Sequence, residues 1–134
     1  MDCLFCRIAK KELPSAIIYE DSRTLAFLDI NPKSPGHSMV IPKVHAENLI
    51  QLPTHEVGPL FEAVQKVTSK LSKALKPHGF TIGVNHGKVS GQVVDHLHVH
   101  IIPRFLNDGG SSIHAVVTNP PKESLGDLAK RINQ

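Results

Sequence analysis

Between Asp95 and Arg104 the chain reads Asp-His-Leu-His-Val-His-Ile-Ile-Pro-Arg, with imidazoles at His96, His98 and His100 and apolar residues at Leu97, Val99 and Ile101. Strict alternation of this kind fits a strand, because successive side chains point to opposite faces. Three histidines then share one face and three apolar residues the other. Such a segment needs a hydrophobic layer on one side and, on the other, something that uses imidazoles. Residues two apart on a strand are separated by about 6.5–7 Å, so the outer histidines lie about 13 Å apart at Cα. One tetrahedral ion does not comfortably take all three. Their roles must divide, and at least one histidine is left for work that needs no metal.

The hydrophobic layer is supplied by the segment His55–Leu75. Val57, Leu60, Phe61, Val64, Val67, Leu71, Ala74 and Leu75 recur at the three-and-four spacing of a helix packed on one side. Thr54 is the expected N-cap, with a start near Gly58 as the alternative because of Pro59, and Pro77 with Gly79 stops the run. A short opening helix is expected over Cys3–Lys11, and strands over Ile17–Glu20, Leu25–Ile30, His37–Ile41, Phe80–Val84 and Leu97–Ile102. A Gly-bearing loop spans Asn85–Val93, the chain loosens from Asn107 onward, and Ser124–Ile132 reads as a last helix. Strands joined by short turns, with one helix between the third and fourth, indicate an α+β domain on an antiparallel sheet. At 134 residues this is a single domain, 1–134, with about 107–134 a looser tail.

Composition narrows the function classes. The apolar runs Met39–Ile41 and Val99–Ile102 are far shorter than a membrane span. No basic leader precedes a long apolar stretch, so a cytoplasmic place is the default expectation, or a nuclear one in a eukaryote. The lysines behind the charge of +3 are scattered, with Lys66, Lys70, Lys73 and Lys76 along the long helix as a solvated face, and six aromatic residues are few for stacking on bases; binding of a nucleic acid polymer is not expected. The two cysteines, Cys3 and Cys6, form a C-x-x-C that suits half a metal site, a redox pair or neither. No strand precedes them, which weakens the redox option.

With these residues in view, the chain resembles the histidine triad (HIT) family of nucleotide hydrolases and transferases. The resemblance is carried by His96-Leu-His98-Val-His100-Ile-Ile, Cys3-Leu-Phe-Cys-Arg-Ile, Leu25-Ala-Phe-Leu-Asp-Ile-Asn-Pro, Pro35-Gly-His-Ser-Met-Val-Ile-Pro-Lys-Val-His, Asn85, and Ser90-Gly91-Gln92. It runs over most of the chain and looks most like the small nucleotide-binding, adenosine phosphoramidase branch. The family fold implied is a five-stranded sheet with one long and one or two short helices, joined across a homodimer into ten strands.

The resemblance also implies roles. His98 is the expected nucleophile, attacking the α-phosphate of purine nucleoside phosphoramidates (derivatives of AMP or GMP) to give a nucleotidyl-histidine that water cleaves. His100 would contact the phosphate and help the leaving group, and His37 would support the triad. Asn85, Gly91, Gln92 and Val93 would surround the phosphate, Asp29 would accept the ribose hydroxyls, and Phe5, Ile8, Phe27, Ile30 and Met39 would form a slot for the base. Cys3, Cys6, His45 and His96 match a structural Zn2+ site, a closed Cys2His2 set. Two departures stand out: Val93 replaces a serine common in phosphoramidases, and the tryptophan-bearing tail is absent. Dinucleoside polyphosphate hydrolysis, a regulatory nucleotide-binding module, and a zinc hydrolase using His96 and His98 as ligands are the alternatives.

Overall fold

Apolar residues on both sides of the central strands dictate the architecture: Thr24–Leu28 (β2) and Ser38–Pro42 (β3) are buried almost throughout, so each face must be covered. The computed structural model describes residues 2–134. Its elements run α1 (Leu4–Ala9), β1 (Ile17–Glu20), β2, β3, α2 (Thr54–Leu75), β4 (Gly79–Gly83), β5 (Val99–Arg104) and α3 (Leu125–Ile132), with 3-10 turns at Lys88–Ser90 and Ile113–Ala115. The strands form one sheet in the order β1-β2-β3-β5-β4, every neighbour antiparallel. The α+β fold with a five-stranded antiparallel sheet is therefore as expected.

Alternation sorts the two faces. Ala26, Val40, Val99 and Ile101 pack with Leu60, Ala63, Val64, Val67 and Leu71 of α2. Leu25, Phe27, Met39 and Ile41 pack instead with Phe5 and Ile8 of α1. A six-residue helix has little stability of its own, so α1 depends on this contact. Its N-cap is unusual: the Cys3 sulfur accepts from the Cys6 N–H at 3.4 Å.

Element ends differ from the sequence reading for physical reasons. Helix α2 starts at Thr54, capped by Pro53 without a side-chain bond, so Thr54 is its first residue rather than its cap. Pro59 sits in the second turn and forgoes only the bond to the His55 carbonyl. At the other end Lys76, not a glycine, takes the left-handed conformation (φ 50°) and bonds back to the Ser72 carbonyl. Strand β2 stops at Leu28, before Asp29, and β5 begins at Val99, two residues later than alternation suggested. Gly36, at φ +86°, leaves no room for a side chain, since a Cβ would overlap Leu75.

The tail is exposed from Leu106 onward apart from Leu128, and α3 buries nothing. Among the described residues no helix is long and apolar enough to cross a membrane. Because Leu60 is fully buried between α2 and the sheet while Gln65 faces solvent, Leu60→Ala should cost about 2–5 kcal/mol in a urea unfolding experiment and Gln65→Ala under about 0.5 kcal/mol. Equal midpoints for the two variants would contradict this packing.

Candidate functional site

Strand β5 carries only the last of the three histidines. His96 and His98 lie in the segment leading into it, which is pinned by the Leu97 N–H to the Ala46 carbonyl at 2.7 Å. His96 and His98 nevertheless face α1. The Phe5 ring meets His96 and His98 edge-on, with centroids 6.0 and 5.0 Å away, and His98 lies 5.0 Å from His100. On the opposite side Leu97, Val99 and Ile101 are sealed under α2.

His96 is turned to the cysteines. Its Nε2 is 2.9 Å from the Pro42 carbonyl, which only accepts, so the proton sits on Nε2 and Nδ1 carries the lone pair. That lone pair faces Cys3 Sγ at 3.4 Å and Cys6 Sγ at 3.5 Å, and His45 Nδ1 is 3.4 Å from Cys6 Sγ. The four donor atoms all lie within 4.8 Å of one another. A tetrahedral ion with ordinary zinc–sulfur and zinc–nitrogen bonds needs sulfur–nitrogen separations of about 3.6 Å, so the set fits such an ion without rearrangement. Burial pushes the Cys6 thiol up and holds His96 down to about 4, which keeps the imidazole a neutral donor. A carbonyl behind a ligating ring is the usual orienting partner.

The other two histidines form a separate chain of hydrogen bonds. His98 Nδ1 lies 2.7 Å from the His96 carbonyl, so it carries the proton and Nε2 is left as a lone pair. Among the described residues Nε2 has no hydrogen-bond partner and is not sealed from solvent. The Lys33 N–H donates to His37 Nδ1 at 3.1 Å, which places the His37 proton on Nε2; that proton points at His100 Nδ1, 2.9 Å away. His100 therefore keeps its own proton on Nε2. Burial holds His100 down to about 4, helped by His98 and His37, and lowers His37 too, with Asp29 opposing. The site thus presents one lone pair and one N–H donor from two rings whose centroids are 5.0 Å apart.

Asp29, His37 and His100 also cluster closely enough to hold an ion. The Lys33 N–H argues against one: it keeps the His37 proton on the very nitrogen a metal would need.

The remaining expected residues divide. Phe5, Ile8, Phe27 and Met39 form a buried apolar cluster on the β2–β3 side of the histidines. Asp29 is half-buried just beyond β2, accepting from the Asn31 N–H at 2.9 Å, with its other oxygen 3.6 Å from His37 Nε2. Ile30 and Val93 stand apart from that cluster, 89% and 90% exposed. Asn85 and His100 both line an open trough of about 690 Å³ on the β4 side. Gly91 turns the loop beside the Asn85 amide. Gln92 is engaged at both ends of its amide, accepting from the Gly87 N–H and donating to the Glu47 and Val94 carbonyls, so in this conformation it knits the loop together. Sequence reasoning missed the Lys33 N–H, and it expected a backbone carbonyl behind His98 without assigning it to His96, since backbone groups leave no mark in residue type. It also missed Lys33 and Ser34 as trough residues, because a Pro-bracketed stretch reads only as a turn.

Comparison with known proteins agrees with this geometry. The HIT domain model matches residues 10–107. The chain is 44% identical over 138 residues to an uncharacterised HIT-like protein of Borreliella burgdorferi, covering 98% of this chain and 96% of that one. It is 41% identical over 113 residues to the adenosine 5'-monophosphoramidase of Schizosaccharomyces pombe, covering 84% of this chain and 82% of the relative. A HIT family crystal structure from Bacillus subtilis superimposes with a TM-score of 0.88 at 35% identity, covering 99% and 96% of the two chains. A Zn-bound histidine triad protein of Mycobacterium smegmatis gives 0.76 at 32% identity, with coverage of 92% and 85%. The chain belongs to the HIT domain family.

Proposed function

We propose that this protein hydrolyses purine nucleoside phosphoramidates at the α-phosphate, through a covalent intermediate on His98. The observation that carries the reading is the free Nε2 lone pair of His98, fixed by its Nδ1–H on the His96 carbonyl and set beside the neutral N–H donor of His100. A nucleophile of this kind attacks phosphorus without first losing a proton. The new P–N bond to His98 forms as the bond to the leaving nitrogen breaks. That nitrogen takes up one proton, and the water that cleaves the intermediate gives one back, so the cycle closes with a nucleoside monophosphate and a free amine. His100 Nε2–H donates toward the phosphoryl group, and His37 holds the ring that does so. The S. pombe relative, an adenosine 5'-monophosphoramidase, supports the substrate class.

In this reading Asp29 takes the ribose, the Phe5–Phe27–Met39 cluster takes the base, and Asn85 with the Gly91–Val93 turn flanks the phosphate. Cys3, Cys6, His45 and His96 hold a structural zinc that ties α1 to the sheet, and two chains pair into a homodimer, as in the family.

Mass spectrometry of protein mixed with an AMP phosphoramidate should find a nucleotidyl group on His98. His98→Ala should lose on the order of 10³-fold or more in kcat. No adduct together with unchanged turnover in the variant would sink the mechanism.

The zinc assignment predicts about one ion per chain by elemental analysis. Chelation or Cys6→Ser should lower Tm, while wild-type protein stays monophasic; a metal-free protein of unchanged Tm would refute it.

The neutral pair also has a pH signature. His100 and His37 titrate lower in the folded chain than the ordinary histidine value of about 6.5, so the unfolded chain binds more protons between about 6.5 and 4. Folding stability should be full above that window and decline as pH falls through it. Denaturation of His100→Asn across the same range should show a shallower slope; parallel slopes would mean His100 is not held neutral.

A further inference from the structure

Three consecutive residues between β3 and α2 reach three separate parts of the site. The His45 ring sits in the Cys2His2 cluster, its Nδ1 3.4 Å from Cys6 Sγ. The Ala46 carbonyl accepts from the Leu97 N–H at 2.7 Å, one residue before His98. The Glu47 carbonyl accepts from Gln92 Nε2, also at 2.7 Å. Segment 45–47 lies outside helix and strand, and the β3–β5 ladder ends at Val40 and Val99. Its place is set by these contacts, by the burial of Ala46 and by the Glu47 N–H on Gln51 Oε1.

Gln92 carries that placement to the 87–92 turn. Its amide orientation follows from its partners: Nε2 faces the carbonyls of Glu47 and Val94, and Oε1 accepts from the Gly87 N–H at 2.8 Å. The Gln92 backbone N–H returns to the Gly87 carbonyl at 3.2 Å. Both polar groups of the Gly87 backbone therefore end on Gln92. The turn has no ladder of its own, and Gly87 and Gly91 hold φ of +88° and +102°, so little else restrains it. Gln92 is only 8% exposed, and burying an amide costs free energy unless its polar atoms are bonded. With both Nε2 hydrogens directed inward, this side chain acts on a phosphate through the turn it closes, which includes Gly91 beside the Asn85 amide.

We propose that His45 is a positioning residue for the phosphate turn, acting through segment 45–47 and the Gln92 amide. An ion on the cluster and a nucleotide phosphate on the turn then favour one another, and the coupling is reciprocal. This rests on the reading that the turn flanks the phosphate and that the cluster holds zinc.

The test uses zinc-loaded wild type, His45→Ala, His45→Cys and Gln92→Leu, with AMP as the probe. In His45→Ala the ligands Cys3, Cys6 and His96 remain, enough to keep zinc with a water in the fourth place, so α1 stays tied while segment 45–47 is released. Amide exchange at Gly87 reads the turn without any nucleotide, and amides inside α2 report that the fold persists. Exchange at Gly87 should quicken about tenfold in His45→Ala and return to the wild-type rate in His45→Cys, which restores a fourth ligand. AMP affinity should fall about fivefold or more in His45→Ala and recover in His45→Cys. On a Gln92→Leu background, His45→Ala should cost less than about twofold.

Wild-type exchange at Gly87, or wild-type AMP affinity, in loaded His45→Ala would overturn the proposal. So would AMP that quickens Gly87 exchange in wild type, since Gln92 would then be leaving the turn to reach the phosphate. Should His45→Ala fail to fold, chelator competition decides: AMP should tighten zinc on wild type about fivefold and on Gln92→Leu less than about twofold, and equal factors overturn the link. If wild type binds no AMP, the reading of the turn as a phosphate site falls, and exchange at Gly87 alone decides whether His45 positions it.

Discussion

His96 is the residue on which the site depends, because its two ends serve two different structures. Its ring is clamped between the Pro42 carbonyl and the paired sulfurs of Cys3 and Cys6, and its carbonyl receives the Nδ1 proton of His98. The ring is wholly buried, so it has no freedom to rotate away from either. A cation at the cysteines would therefore fix more than the chain terminus. It would fix the backbone carbonyl that decides which nitrogen of His98 bears the lone pair. Phe5 reinforces the link, since it lies between the two cysteines in sequence and packs its ring against both His96 and His98.

Burial does the second part of the work. Charged imidazoles side by side would repel one another, and removing them from water disfavours the charged form further. His100 is accordingly held down to about 4. Neutral rings keep fixed tautomers, and here a backbone N–H at one end of the chain, from Lys33, propagates through His37 to set the proton of His100. The direction of every donor in that chain follows from one peptide group that can only donate.

Much of this was legible in the sequence, and the boundary between what was and was not is physical. Alternation at 96–101 separated the imidazole face from the apolar face, and the helical spacing of 55–75 identified the layer that covers the latter. Side-chain period says nothing of where a ladder begins, so the start of β5 at Val99 was missed; Leu97 pairs with Ala46 in a loop instead. Lys76 in the left-handed region was equally invisible, because only Pro77 and Gly79 marked the end of the helix. The contacts that orient the histidines are carbonyls and amides, which every residue has. Gln92 shows the limit from the other side: its type suits a phosphate contact, yet in this structure the amide accepts from Gly87 of its own loop and donates to the Glu47 carbonyl outside it.

The separation of the three histidines also bears on which chemistry the arrangement supports. A hydrolase that used His96 and His98 together as ligands would need both rings to converge on one ion. The first ring presents Nδ1 to two sulfurs, and the second has Nδ1 committed to a carbonyl and sits beside His100 rather than among the cysteines. Bringing His98 Nε2 to the cysteine cluster would break the bond to the His96 carbonyl and pull the ring through Phe5. The rigid strand lead-in, held by Leu97 under α2, resists that movement. What the packing favours is a division of labour in one short segment, with a metal-type donor set at its first histidine and an unliganded imidazole two residues later.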